Sequence, residues 1–250
     1  MAKTRLDVAL VERGLAETRA AAQRLVMAGL VFSNDKRLDK AGYGVTADMP
    51  LEVRGQPHPY VSRGGLKLEK ALDHFGIAVA GRTALDVGAS TGGFTDCLLQ
   101  RDAAKVYAVD VGTNQLAWKL RSDPRVVSME KTNIRDIGRT QIADPIDLIV
   151  CDASFIGLRT ALPAALALAA AGAHLVALIK PQFEVGKGRV GKGGIVREPE
   201  LHQEVCDTIA SWVAEQPGWR VLGVTESPIT GAEGNKEFLI AATYEGAPVG

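Results

Sequence analysis

From residue 83 onward, short apolar runs alternate with segments of helical period. The runs fall at 83–87, 106–109, 126–127, 146–151, 173–179, 221–227 and 237–243. Such alternation predicts an α/β fold, a Rossmann-like, mostly parallel sheet with helices on both faces. The last two runs are joined by a connection, 228–235, that holds Pro228, Gly231 and Gly234. They are expected to form an antiparallel hairpin closing one edge. The stretch 161–179 has the length of a membrane span, but it is alanine-dominated and interrupted by Pro163, Gly172 and His174. It reads as a buried helix, a turn at Ala171-Gly172 and a strand over 173–179.

The first 58 residues follow another pattern. Thr4 can cap a helix that runs to Arg13 and ends at Gly14, and Thr18 can cap a second that Gly29 stops. Residues 30–32 and 36–38, joined by Asn34-Asp35, read as a short hairpin, with a further strand at 51–53. This makes a small α+β unit. Pro57 and Pro59 cannot continue a helix or a ladder, so residues 55–59 are the natural linker. Two domains are expected, 1–58 and 59–250, with no internal repeat.

Composition narrows the class. With 250 residues, 46% of them apolar, the chain can bury a substantial core. Net charge is zero, yet residues 1–70 hold 12 Lys/Arg against 8 Asp/Glu, and the remainder 17 against 21. A basic front end fits a polyanionic partner. Cys97, Cys151 and Cys206 are odd in number, far apart and without a C-x-x-C pair, so neither a disulfide framework nor a metal site is expected. The amino-terminal residues lack the apolar core of a signal peptide, and a reducing cytoplasm fits best.

The most specific chemical signal is 85–96, Leu-Asp-Val-Gly-Ala-Ser-Thr-Gly-Gly-Phe-Thr-Asp, followed by an apolar run that ends at Asp110. Glycines let backbone approach a ligand closely, and an acid after the next strand can grip ribose hydroxyls. The order departs from G-x-G-x-x-G, because Gly88 is followed by Gly92-Gly93, with Asp86 before the turn. That variant is closer to an S-adenosylmethionine loop, the alternative being a glycine turn without a ligand. Ligands of an open parallel sheet sit beyond the carboxyl ends of its strands, so charges that end apolar runs are informative. Asp152 and Lys180 end two such runs, and Glu237 opens a strand that runs the other way. Lys67, on a helix before the core, could join them in one cleft. The segment 186–193 nearly matches a phosphate-binding loop but lacks the final Ser/Thr, and no helix promptly follows. It is expected to be a flexible basic loop closing over a polyanionic partner.

Taken together, Lys67, Asp152, Lys180 and Glu237 resemble the Lys-Asp-Lys-Glu set of FtsJ-like ribose 2'-O-methyltransferases. Segments 62–68, 86–96, 152–155, 180–188 and 234–237 extend the likeness to nearly the whole chain, which resembles the TlyA (hemolysin A) family. Residues 5–7, 14–16, 18–19 and 28–29 resemble the RNA-binding module of ribosomal protein S-four type. The resemblance implies S-adenosylmethionine as cofactor and ribosomal RNA as partner, with the methyl group going to a cytidine 2'-hydroxyl. The large subunit (23S) is the expected target, the small subunit (16S) a further one. Catalysis would fall to Lys67, Asp152, Lys180 and Glu237. The cofactor would lie against Asp86, Gly88, Ala89, Ser90, Thr91, Gly92, Gly93, Phe94, Asp110, Asn133 and Asp152. RNA would meet Lys3, Arg5, Arg19, Lys36, Arg37, Lys40, Arg63, Lys131, Arg135 and Phe155, the last by stacking on a displaced base. The Asn34-Asp35 turn departs from the Asn-Gly expected there, placing an acid near the RNA face. Two other readings stand beside this one, a pore-forming hemolysin and a non-catalytic ribosomal RNA-binding assembly factor.

Overall fold

The computed structural model describes residues 3–16, 18–54, 58–186, 188–231 and 234–246. Gly55, Gln56 and Pro57 of the expected linker, Lys187 of the basic loop, and Ala232 and Glu233 of the hairpin connection lie outside the described residues. The chain divides into two compact units, 1–59 and 60–250.

The first unit comprises β1 (Thr4–Arg5), α1 (Leu6–Glu12), α2 (Arg19–Met27), β2 (Val31–Ser33), β3 (Lys36–Arg37), β4 (Gly44–Val45) and β5 (Glu52–Val53). Its core is Leu6, Leu10, Ala22, Val26, Val31, Leu38 and Val45. Thr18 caps α2 as expected, its side chain accepting from the Ala21 amide. Thr4 does not cap α1. It pairs with Val45 in a two-residue ladder, and the first-turn amides of Leu6 and Asp7 donate to the carbonyls of Tyr43 and Ala41. A side-chain cap is unnecessary where backbone fills the role. Asp7 is fully buried, and it accepts from Arg5 Nε (3.0 Å), Arg19 Nε (2.8 Å) and Gln23 Nε2 (2.8 Å). The Arg5 hydrogen bond, with those of Gln23 and Arg19, outweighs burial and holds this carboxyl well below the usual range.

The second unit is a seven-stranded sheet in the order β11-β12-β10-β9-β6-β7-β8. Its parallel members are β6 (Thr83–Val87), β7 (Lys105–Val109), β8 (Val126–Met129), β9 (Ile146–Cys151) and β10 (Ala169–Ile179). Strands β11 (Trp219–Glu226) and β12 (Phe238–Tyr244) form the antiparallel hairpin at one edge. One face is covered by α3 (Gly64–Phe75), α4 (Gly93–Gln100) and α5 (Trp118–Arg121), the other by α6 (Leu158–Ala161), α7 (Pro163–Leu166) and α9 (Pro199–Ala214). Helix α8 (Pro181–Glu184) follows β10 directly. Among the described residues, no helix is long and apolar enough to cross a membrane.

Two expectations for 161–179 need correction. The helix is split into single turns, α6 and α7, because Pro163 has no amide to continue the first. Ala171-Gly172 is not a turn between elements but part of β10, whose register with β9 shifts between Ala169 and His174. Gly172 supplies the positive φ (79°) that lets the strand absorb the extra residues.

Close packing at the α3 and α4 amino termini decides where Lys67 stands. A Cβ on Gly93 would lie 2.2 Å from Ser62 Oγ, and one on Gly65 would lie 2.3 Å from the Tyr60 ring. Buried Asp96 of α4 draws in the same segment by accepting from the Val61 amide at 2.7 Å. We therefore expect Gly65→Ala to destabilise this unit by about 1–3 kcal/mol, the usual cost of overpacking. Urea unfolding of the full chain checks this, and an unchanged midpoint would refute the tight contact.

Candidate active site

The four charged residues singled out from the sequence come together at one sheet edge. Asp152 follows β9, Lys180 follows β10, Glu237 immediately precedes the antiparallel β12, and Lys67 lies on the first turns of α3. Lys67 Nζ is 2.5 Å from Glu237 Oε2 and 3.9 Å from Asp152 Oδ2, while Lys180 Nζ is 2.6 Å from Asp152 Oδ1. The signs alternate along the row. Lys67, Lys180 and Glu237 are buried, and Asp152 is partly so. An isolated charge at such depth would cost several kcal/mol, roughly, so each member depends on its neighbours. Lys180 Nζ also donates to Ser154 Oγ (2.8 Å) and to the Asp152 carbonyl (3.3 Å). Lys236, a conceivable partner for Glu237, instead pairs with Glu226.

Two cavities meet at this row. One, of about 450 Å³, is lined by the four charged residues and by Arg63 and Phe183. The other, of about 550 Å³, is lined by Gly88, Ser90, Asp110, Asn133, Ile134 and Ile156. Gly88, Ser90, Asp152, Ser154 and Phe155 line both. Both volumes fall within the roughly 300–1,000 Å³ of small-molecule sites.

The second cavity suits a nucleoside. Asp110 Oδ2 accepts from the Ser90 amide and Oδ1 from the Gly112 amide, each at 2.7 Å. Each oxygen keeps a further lone pair for ribose hydroxyls. Gly88 has φ 81°, and a Cβ there would lie 2.9 Å from Ala153 Cα, so only glycine lets the β6 loop approach the β9 loop this closely. The remaining glycine-loop residues are dispersed. Ala89, Thr91, Gly93 and Phe94 line the charged cleft, whereas Gly92 packs behind the loop against Leu116 and Leu120. Asn133 lines the nucleoside cavity, but its Oδ1 accepts from the Arg135 amide (3.1 Å) and Arg135 Nε (3.2 Å). The amide oxygen of this expected cofactor residue is thus engaged in its own turn.

Asp86 is also behind the loop, fully buried at the end of β6. Its Oδ2 accepts from Thr95 Oγ1 at 2.7 Å, and its Oδ1 is buried with no hydrogen-bond partner among the described residues. Burial, reinforced by the charge of Asp152 and opposed by Thr95, pushes this carboxyl up to about 7.

The residues expected to face RNA divide by unit. In the second unit Arg63, Lys131 and Arg135 are exposed, and Phe155 is 90% exposed. Phe155 is therefore no core residue. It has φ 64° and packs its ring 5.3 Å from that of Phe183. In the first unit Lys3, Lys36, Arg37 and Lys40 are exposed, whereas Arg5 and Arg19 commit their Nε atoms to Asp7. The glycine-rich segment after α8 forms, among the described residues, a single 3-10 turn (Lys192–Gly194) before α9 begins at Pro199, and its Arg189 is gripped by Glu204 at 2.5 and 2.6 Å. That arginine is tied to α9 rather than free in a mobile loop. Asp7 and Ser154 were not legible as special, since one acid and one loop serine carry no spacing signal.

Comparison with known proteins agrees with this geometry. The model of the FtsJ-like methyltransferase family matches residues 60–244, and that of the S4 domain matches residues 4–51. The chain is 52% identical to the YqxC protein of Bacillus subtilis, over 98% of this chain and 87% of that one. It is 47% identical to the 16S/23S rRNA (cytidine-2'-O)-methyltransferase TlyA of Mycobacterium tuberculosis, over 95% and 89% respectively. A solved structure from Streptococcus thermophilus that carries the hemolysin name is 46% identical, covering 99% of this chain and 90% of that one, with a TM-score of 0.77.

Asp86 generates a pH prediction. Its proton affinity is higher folded than unfolded, so its destabilising effect is absent below about pH 4 and grows as pH rises to about 7. Each tenfold difference in affinity is worth about 1.4 kcal/mol. Asp86→Asn mimics the protonated acid, so it should stabilise the protein against urea at pH 8 and do so progressively less toward pH 5. A stability difference that does not change with pH would contradict the assignment.

Proposed function

Because the chain belongs to the FtsJ-like methyltransferase family, we propose that it moves the methyl group of S-adenosylmethionine to a cytidine 2'-hydroxyl in ribosomal RNA. The observation that carries this reading is the row of alternating charges at the junction of two cavities, one suited to a nucleoside and the other open to a second substrate. Asp110, Gly88 and Ser90 would hold the cofactor, which supplies a methyl group already activated on a sulfonium. The protein's own task is alignment and proton removal, because a ribose hydroxyl is a poor nucleophile near neutral pH.

Lys180 and Asp152 are the residues nearest that task. Asp152 borders both cavities and pairs with Lys180, so the hydroxyl proton can pass to Lys180 Nζ while Asp152 offsets the charge that results. Lys67, held by Glu237, presents its remaining donors to the same cleft and orients the ribose. Phe155, exposed on its turn beside Phe183, offers a face on which the displaced cytosine stacks.

We assign the grip on RNA outside the reacting nucleotide to residues 1–58. Lys3, Lys36, Arg37 and Lys40 have exposed cations for phosphates, and Arg5 and Arg19 contribute the edges that Asp7 leaves open. Arg63, Lys131 and Arg135 extend the contact in the second unit. The work is done where ribosomal subunits are, in the cytoplasm.

Tritium from labelled S-adenosylmethionine should enter ribosomal RNA with wild type, and mapping the product should place it on a cytidine ribose. Lys180→Ala or Asp152→Ala should slow transfer by roughly 10²- to 10⁴-fold, the usual contribution of positioned acid–base groups. Large subunits, small subunits and bare RNA serve as separate substrates, so the same experiment identifies the target. A wild-type protein that methylates none of them would leave only an RNA-binding role.

A further inference from the structure

We propose that Ser154 is a positioning residue for methyl transfer: its hydroxyl oxygen holds Lys180 Nζ so that the third bonding position of that nitrogen faces the incoming ribose hydroxyl. The inference rests on the reading above and adds a residue to it. A lysine nitrogen has three positions beyond its stem. Two point at hydrogen-bond acceptors, Ser154 Oγ at 2.8 Å and the Asp152 carbonyl at 3.3 Å. Asp152 Oδ1 lies 2.6 Å away as an ion-pair partner without hydrogen-bond alignment, so among the described residues the third position is taken by no hydrogen bond. Two fixed directions at a tetrahedral nitrogen determine the third.

Asp152 alone could not aim Nζ. Its carboxylate is 21% exposed and shared with Lys67, and the flexible four-carbon stem of lysine leaves the ammonium free to turn about a single ion pair. A second acceptor removes that freedom. Ser154 is well placed to be that acceptor, because its loop is pinned at both ends. The Asp152 amide donates to the Val87 carbonyl at 3.0 Å, and the Leu158 amide donates to partly buried Glu184 Oε1 at 2.7 Å. Between the anchors, Phe155 takes φ 64°, a conformation a bulky side chain adopts only when its surroundings impose it. Ser154 thereby stands where the two cavities meet, exposed on one side and bonded to Lys180 on the other.

The step balances as follows. Lys180 Nζ, an ammonium in its ion pair with Asp152, first releases one proton to solvent; the ribose oxygen then gives its own proton to the third position of that nitrogen while it bonds to the methyl carbon. The carbon–sulfur bond breaks with its electron pair remaining on sulfur. Ser154 gains and loses nothing in this exchange. Its own hydrogen stays available to donate to the substrate.

Methyl transfer to ribosomal subunits by the full chain tests this. Ser154→Ala should lower kcat by roughly 10- to 100-fold, the scale on which small misplacements act, with KM for cofactor and RNA nearly unchanged. Because a hydroxyl that accepts from an ammonium stabilises its charged form, the acidic limb of the kcat–pH profile should also move to lower pH in Ser154→Ala. Ser154→Thr, which keeps the hydroxyl, should restore most of the rate and the wild-type limb. Wild-type kcat and pH profile in Ser154→Ala would overturn the proposal, as would a rise in KM for RNA with kcat intact, which would make Ser154 a simple substrate contact. These outcomes require an active wild type. An inactive wild type would sink the methyltransferase reading itself, and this inference with it.

Discussion

Lys67, Glu237, Asp152 and Lys180 can be buried only together. Lys67, Lys180 and Glu237 are each buried at the carboxyl edge of this sheet, and a lone ammonium or carboxylate held there would lose far more hydration energy than packing returns. Contacts of 2.5 and 2.6 Å within the row, and 3.9 Å across its middle, show how the penalty is offset. Much else follows from keeping four side chains from distant parts of the chain in register. Glycines at 65 and 93 bring α3 onto α4, the antiparallel β12 carries Glu237 to the edge where parallel strands end, and the β9 loop is anchored at both ends. Each device serves the same electrostatic requirement.

The requirement also explains why one short loop borders both cavities. Asp152 must face Lys180 and Lys67, and three residues later the chain is forced through positive φ at Phe155. An exposed aromatic ring and an exposed hydroxyl emerge from that turn. A nucleoside cradle on one side and a charged cleft on the other thus share a wall only a few residues long. Asp86, buried just beneath, feels the charge of Asp152, so the proton affinity of the site and the stability of the sheet are coupled.

The small first unit solves a comparable problem with fewer residues. Buried Asp7 collects hydrogen bonds from Arg5, Arg19 and Gln23, joining α1 to α2 through polar contacts beneath a modest apolar core. Two of the cations first read as phosphate ligands are therefore also structural, and each has only part of its guanidinium left for RNA.

The local pattern of the chain determined the elements themselves. Predominantly apolar runs marked the sheet strands because strands buried on both faces carry few polar residues, and charges at the ends of those runs marked the site because ligands collect beyond strand ends. Thr18 and Gly29 marked helix ends by their own stereochemistry. Other features were decided only by partners distant in sequence. Thr4 lost its capping role to a ladder with Val45, and Ala171-Gly172 became a bulge because β9 was there to pair with it. Arg189 was claimed by Glu204, and Ser154 gained importance from a lysine 26 residues away. Propensity and periodicity are properties of neighbouring residues and can be read along the chain. Hydrogen bonds and ion pairs depend on which groups meet in three dimensions, and folding alone selects those partners.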